Sequence, residues 1–261
     1  MSVDGAPPAQ RYQLVIADAD GEGARVILES KFPLMSPAWS PDGESLAYVS
    51  FETRRAAIYV QRVRTAERTR VSDRPGVNGA PDGRKLALTL SSAAGNLDVH
   101  VLDLQTREYT RVTDDLAIDT EPVWSADGST LFFTSDRAGG PQIYRVRVGT
   151  GERPQRVTFA GAYNARPRLG GDGQTLAFVT RDGNGYRIAV QDLRNGAMRT
   201  LSAGRQDESP SFSPDGGTLI FAARERGRGV LQTVSVDGLV LQRLKSERGD
   251  VRDPAWGPFS P

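Results

Sequence analysis

The stretch Pro37 to Ser50, PAWSPDGESLAYVS, decides the fold because it returns along the chain. It reads as a proline, an apolar or aromatic residue, an Asp-Gly pair and a short apolar run opening with leucine. Further copies are PDGRKLALTLS at Pro81 to Ser91, PVWSADGSTLFFTS at Pro122 to Ser135, PRLGGDGQTLAFVT at Pro167 to Thr180 and PSFSPDGGTLIFAA at Pro210 to Ala223. The turn aspartates Asp42, Asp82, Asp127, Asp172 and Asp215 follow one another at 40, 45, 45 and 43 residues, a period that belongs to repeat architectures. A sixth copy, PAWGPF, starts at Pro254, and Trp39, Trp124 and Trp256 share one repeat position.

Each Asp-Gly lies between two apolar runs. Glycine relieves the steric cost of positive φ and aspartate bonds the turn backbone, so the unit reads as a hairpin. A calcium loop is the sharper alternative, but the turns lack its spaced Asp/Asn ladder and terminal Glu. A third run follows in every repeat, at Ile58 to Val63, Val99 to Leu104, Ile143 to Val148, Ile188 to Leu193 and Leu231 to Val236. A more polar fourth run closes each unit, at Arg68 to Ser72, Tyr109 to Thr113, Pro154 to Thr158, Met198 to Ser202 and Leu241 to Lys245. Four strands per repeat specify a propeller blade.

The expected fold is therefore all-β, a six-bladed β-propeller of four-stranded antiparallel blades. Leu14 to Ala19 reads as a third strand and Ala24 to Leu28 as a fourth, so the sixth blade is shared by the N- and C-terminal segments. Residues 1–11 read as a flexible N-terminal segment and 12–261 as the propeller. Two departures stand out. The second repeat lacks the apolar segment between Pro81 and its turn, so its innermost strand should be stunted. In the sixth blade, Asp4 to Gln10 (DGAPPAQ) cannot supply the second strand, and closure there should be defective.

Composition limits function. With 33 basic and 32 acidic side chains the net charge is +1, so no global field draws the chain to nucleic acid or anionic membrane. The chain has no cysteine and a single histidine, His100, which excludes thiol chemistry, thiolate metal sites and histidine clusters. His100 stands where other repeats carry Tyr59 and Tyr144, and no G-x-S-x-G accompanies it. Phosphate-cradling glycine motifs are absent. No stretch is apolar enough to span a membrane, and Met1 to Gln10 lacks the flank and apolar core of a secretory signal.

The order MSPAWSPDG (Met35 to Gly43), NGAP (Asn78 to Pro81), TEPVWS (Thr120 to Ser125) and FTSDRAGGPQIY (Phe133 to Tyr144), with YQLVIADADG (Tyr12 to Gly21) and PAWGPF, resembles the TolB propeller family. The resemblance covers nearly the whole chain from Tyr12. It implies a non-catalytic, monomeric docking module of the Tol-Pal envelope system in the periplasm, with the peptidoglycan-associated lipoprotein Pal as partner and colicin translocation segments as competitors for the same face. It also implies no cofactor, although an acidic channel could hold a cation such as calcium. Members of that family carry an α/β domain before the propeller. Ala80 in NGAP and Thr120 in TEP inherit the Pal contact, whereas the position before Asn78, often histidine in the family, is Val77 here.

Recognition is expected on the connections that lead into each innermost strand, around the channel mouth. These are Met35-Ser36, Val77 to Ala80, Asp119-Thr120-Glu121, Asn164-Ala165-Arg166, Asp207-Glu208-Ser209 and Val251-Arg252-Asp253. Met35, Ser36, Val77, Asn78, Ala80, Asp119, Thr120, Glu121, Asn164, Arg166, Glu208 and Arg252 are the candidate contact residues. Two other readings remain open: a propeller scaffold, natural or engineered, without native partner binding, and the accessory propeller of a prolyl-oligopeptidase-like hydrolase.

Overall fold

A computed structural model describes residues 11–53, 55–72, 78–79, 83–91, 95–183, 185–245 and 249–258, with 78–79 given for the backbone only. The segment expected to be flexible, 1–11, lies outside these except for Arg11.

Two strands come first, β1 (Tyr12–Ile16) and β2 (Arg25–Ser30), paired with each other in a two-stranded sheet. Five four-stranded antiparallel sheets follow. The first blade is β3 (Leu34–Trp39), β4 (Ser45–Ser50), β5 (Ala57–Arg62) and β6 (Arg68–Ser72). The second is β7 (Asn78–Gly79), β8 (Lys85–Ser91), β9 (Leu97–Asp103) and β10 (Tyr109–Arg111), and the third is β11 (Asp119–Trp124), β12 (Thr130–Ser135), β13 (Gln142–Arg147) and β14 (Gln155–Arg156). The fourth is β15 (Asn164–Leu169), β16 (Thr175–Asp182), β17 (Gly185–Asp192) and β18 (Met198–Thr200), and the fifth is β19 (Glu208–Phe212), β20 (Thr218–Glu225), β21 (Arg228–Ser235) and β22 (Leu241–Arg243).

The Asp-Gly pairs form the expected hairpin turns. Gly43, Gly128, Gly173 and Gly216 all have φ between 66° and 73°, a region glycine enters without a Cβ clash. The aspartate secures the turn: Asp42 Oδ1 accepts the Glu44 amide at 2.9 Å, and Asp127 Oδ1 accepts the Ser129 amide at 3.0 Å. After each turn the strand alternates. Tyr48, Leu88, Phe133, Phe178 and Phe221 occupy one repeat position and are all fully buried, each burial stabilising the fold by roughly 1.5–3 kcal/mol.

The core is radial, one apolar cluster per seam between neighbouring blades. Ala47, Val49 and Ile58 of the first blade meet Leu86, Leu88 and Leu102 of the second. Val99 and Val101 meet Phe133 and Tyr144 of the third, and Phe132 and Ile143 meet Leu176 and Phe178 of the fourth. Ala177 and Val190 meet Phe221 and Val234 of the fifth. On its other face the first blade packs Tyr48, Ala57 and Tyr59 against Leu14 and Leu28.

The expected count of six four-stranded blades is corrected to five. Among the described residues the sixth position holds β1 and β2, plus a C-terminal strap, residues 251–258, that forms no strand. Among the described residues no strand pairs with the free edge of β1, so the four-stranded ladder is not completed there; Asp4 to Gln10, expected to supply no strand, lies outside the described residues. The stunted inner strand of the second blade is also present, since β7 has two residues. No helix interrupts the β architecture among the described residues.

Candidate functional site

Antiparallel winding puts two sets of connections at one end of the molecule: those entering each inner strand, and the hairpins between second and third strands. At that end the inner strands share a feature. The residue before the repeat proline has positive φ at Ser36 (51°), Glu121 (56°), Arg166 (57°), Ser209 (55°) and Asp253 (47°). The ladder breaks there in β3, β11, β15 and β19, the signature of a bulge that re-aims a side chain. Such a conformation costs a non-glycine residue about 1–3 kcal/mol, and the cost is offset by bonds between blades.

Those bonds run from blade to blade around the mouth. The Glu121 amide donates to Thr89 Oγ1 of the second blade at 3.2 Å. The Arg166 amide donates to Glu121 Oε2 at 2.9 Å and to Thr134 Oγ1 at 3.0 Å. The Arg166 guanidinium pairs with Glu121 at 3.1 Å and Glu208 at 3.2 Å, and donates to Ser209 Oγ at 2.6 Å. Ser209 Oγ donates to Asp253 Oδ1 at 2.9 Å, and Asp253 Oδ2 accepts the Ser36 amide of the first blade at 3.5 Å. The strap thus supplies the sixth member of the ring without being a strand. It is seated by Trp39 Nε1 donating to Ala255 O at 3.2 Å and by the Trp256 amide donating to Ser211 Oγ at 3.0 Å.

Charge at the mouth is balanced around one arginine. Burial works against the Arg166 charge, but Glu121, Glu208 and Asp253 outweigh it and hold the guanidinium more firmly protonated. Arg168, two residues on, is shifted the other way, because burial lowers its pKa and Arg166 reinforces the shift. Burial also pushes the Asp207 carboxyl up, against the hydrogen bonds it accepts from Ser202 and the Gly204 amide. Among the described residues no three acidic or histidine side chains converge in a metal-binding group.

A cavity of about 300 Å³ opens beside this centre, between the fourth and fifth blades and the strap. Its walls include Tyr163 and Tyr186, set edge to face at 5.2 Å, with Ala222 at the base and Arg224 and Arg252 at the rim. Around the same mouth several large apolar side chains face solvent: Leu116 is 96% exposed and Phe159 73%, and Phe32, Met35, Ile118 and Tyr186 are exposed as well. Side chains so open contribute little to the core.

The sequence candidates separate accordingly. Glu121, Arg166 and Glu208 come together in one cluster, Ser36 joins them through Asp253, Met35 is exposed at the rim, and Arg252 lines the cavity. Thr120 is half-buried in β11 opposite Thr134. Asp119 and Asn164 are fully buried and face inward: Asp119 takes two bonds from Arg137 Nη2, and Asn164 Nδ2 donates to Gln142 and to Ala160 O. Val77 and Ala80 lie outside the described residues, as does the side chain of Asn78. Sequence reading missed Thr89 and Thr134, which sit at one repeat position with Val49 and Val179, and it missed the exposed Leu116, Ile118 and Phe159.

Four-stranded antiparallel blades linked at their inner edges define the class as a β-propeller. A family model described as the TolB beta propeller domain matches residues 3–260, and the chain belongs to that family. It is 49% identical over 263 residues to the Tol-Pal system protein TolB of Xanthomonas oryzae pv. oryzae, covering 99% of this chain and 60% of that protein. It is 43% identical over 253 residues to the Tol-Pal system protein TolB of Bordetella pertussis, covering 95% of this chain and 58% of that one. The crystal structure of TolB from Acinetobacter baumannii superposes with a TM-score of 0.90 at 46% identity, over 97% of this chain and 64% of that one. A prolyl endopeptidase structure, at 14% identity and a TM-score of 0.56 over 83% of this chain and 37% of that one, shares the fold alone. The chain therefore spans about 60% of the length of the curated relatives it matches.

Proposed function

We propose that this chain is the protein-docking propeller of the Tol-Pal envelope system, working in the periplasm without catalysis of its own and binding Pal at the channel mouth. The observation that carries the reading is the division of that face: a fixed, ion-paired centre around Arg166 inside a rim of exposed apolar side chains, Leu116 and Phe159 foremost. Protein interfaces have this anatomy, with a few large anchors surrounded by polar groups that set register. The family name of the relatives supplies the system, and Pal follows from the resemblance of the NGAP and TEP segments. Colicin translocation segments would compete for the same face.

Calorimetric titration with purified Pal tests this. Leu116→Asp and Phe159→Asp alter only exposed side chains, so both variants should melt like the parent while binding Pal at least about tenfold more weakly. Thr120→Arg should act the same way by crowding the mouth. Unchanged affinity in all three folded variants would overturn the assignment of Pal to this face.

A further inference from the structure

The end of the molecule away from the channel mouth carries a second cavity, about 500 Å³, between the third and fourth blades. Arg145 and Arg147 of β13 and Arg153 of the hairpin to β14 line it, together with Leu169 and Gly173 of the fourth blade. The repeat explains why this seam is open. Arg145 stands opposite Phe132 in the ladder, at the position where Val60 stands opposite Ala47, Val101 opposite Ala87 and Val190 opposite Ala177. Those three valines pack into the apolar clusters of their own seams. An arginine cannot take that place without a partner for its charge, so the seam stays open around it.

Arg147 stands at a position where the first blade also carries an arginine, Arg62, and the fifth a serine, Ser235. At its position the second and fourth blades carry Asp103 and Asp192, each paired with an arginine of its own blade. The third blade has no such carboxylate. Among the described residues Arg145, Arg147 and Arg153 form no ion pair, and Arg145 donates only to Gln155 Oε1, at 3.3 Å. The two carboxylates lining the cavity do not serve them: Asp127 is engaged by Ser125 and Ser129 of its own turn, and Glu152 forms no ion pair.

We propose that this cavity binds an oxyanion, the phosphate or carboxylate group of a small molecule, through Arg145, Arg147 and Arg153. Guanidinium groups match both anions in bidentate geometry, and three of them around one half-enclosed space favour a ligand with more than one negative charge. The site lies at the opposite end from the mouth and is independent of Pal binding there.

The repeat itself supplies the test. Arg145→Val and Arg147→Ser install residues that other blades already carry at these positions, Val190 and Ser235 among them, so the double variant should keep its melting temperature or raise it. Calorimetry at low salt with pyrophosphate and with citrate should show one site for at least one probe, and the stronger of the two tells phosphate from carboxylate. Binding should fall at least about tenfold in the double variant and remain unchanged in Arg70→Ser, which removes an exposed arginine on the first blade. If neither probe binds, if the double variant binds as tightly as the parent, or if Arg70→Ser weakens binding equally, the proposal is wrong.

Discussion

The seam between the fourth and fifth blades and the seam between the fifth blade and the N-terminal sheet are built from one repeat but are held by different forces. In the first, Phe221, Leu219 and Val234 are fully buried against Ala177, Ile188 and Val190. In the second, Val15 and Val26 face away from the first blade and remain 48% and 51% exposed. What bridges this gap from the fifth blade is polar: the Lys245–Glu22 ion pair at 2.8 Å reaches the sheet, and Asp253 of the strap ties Ser209 to the Ser36 amide of the first blade. Two full blade faces zip together through apolar area. A face missing a strand cannot, and the ring is then closed by directional bonds at its inner edge.

That contrast predicts an order of effects. Phe221→Ala should be the most damaging single change outside the turns, costing about 3–5 kcal/mol in denaturant unfolding through lost transfer energy and a cavity that a packed seam cannot collapse. A loss under about 1 kcal/mol there would mean that the apolar seams are not what holds the blades together.

The strap should come second. Asp253→Ala removes the acceptor of the buried Ser209 hydroxyl and of the exposed Ser36 amide, and should cost about 0.5–1.5 kcal/mol, the net worth of an ordinary hydrogen bond. Gly257→Val should produce a similar loss by another route, because a Cβ at Gly257 already meets the Trp39 ring at 3.0 Å. If either change matched Phe221→Ala, the strap rather than the apolar seams would govern closure.

The closed seams were legible in the sequence because their cause is periodic: leucine, aromatic and small residues recur after each Asp-Gly, and Phe133, Phe178 and Phe221 share one place in the repeat. For the sixth position, DGAPPAQ reads as poor strand sequence, and it lies outside the described residues. The full count of four-stranded blades was not legible, because PAWGPF reads like the inner strands it matches, yet residues 251–258 have no ladder partner. The mouth was legible only as a location. Ser36, Glu121, Arg166, Ser209 and Asp253 share nothing but the proline that follows, and their common positive φ is fixed by bonds between residues about 45 apart. Asp119 and Asn164 misled for a related reason: a polar residue before a strand looks like a loop tip, and only the placement of Arg137 and Gln142 shows it to be buried.

Acid should act on the Asp-Gly turns more gently. Ser125, then the Ser129 amide and hydroxyl, hold the Asp127 carboxyl at about 2, and Asp42, Asp172 and Asp215 are lowered as well. A carboxylate held below its unfolded value stabilises the fold above roughly pH 4. That contribution disappears as pH falls through the folded value. Thermal melts should therefore decline between about pH 4 and pH 2, and Ser125→Ala should flatten that decline by lowering the melt at neutral pH while leaving the melt near pH 2 little changed. A Ser125→Ala profile that follows the parent throughout would show that the turn aspartate is not a source of acid sensitivity. The sixth position has an Asp-Gly turn of its own, in which Asp20 Oδ1 accepts the Glu22 amide at 2.9 Å, and Gln13 and Arg11 lower its Glu29 carboxyl, so the decline is not confined to the complete blades.

The smallest effect belongs to the open seam itself. Val15 and Val26 face each other across the β1–β2 ladder and have no apolar cluster beyond them, so replacing Val26 with threonine exchanges one β-branched residue for another at an exposed site. The change should stay within about 0.5 kcal/mol. The same reasoning makes β1 an open counterpart of the third strands: it is bonded on one edge by β2 and its other edge meets no strand among the described residues, whereas β5, β9, β13, β17 and β21 are bonded on both edges. Amide exchange by mass spectrometry should therefore show Tyr12–Ile16 exchanging faster than Gln142–Arg147, which is bonded on both edges. Equal protection would mean that β1 is covered, and then Val26→Thr should cost several times more than predicted. The two measurements stand or fall together because both read whether anything packs on that edge.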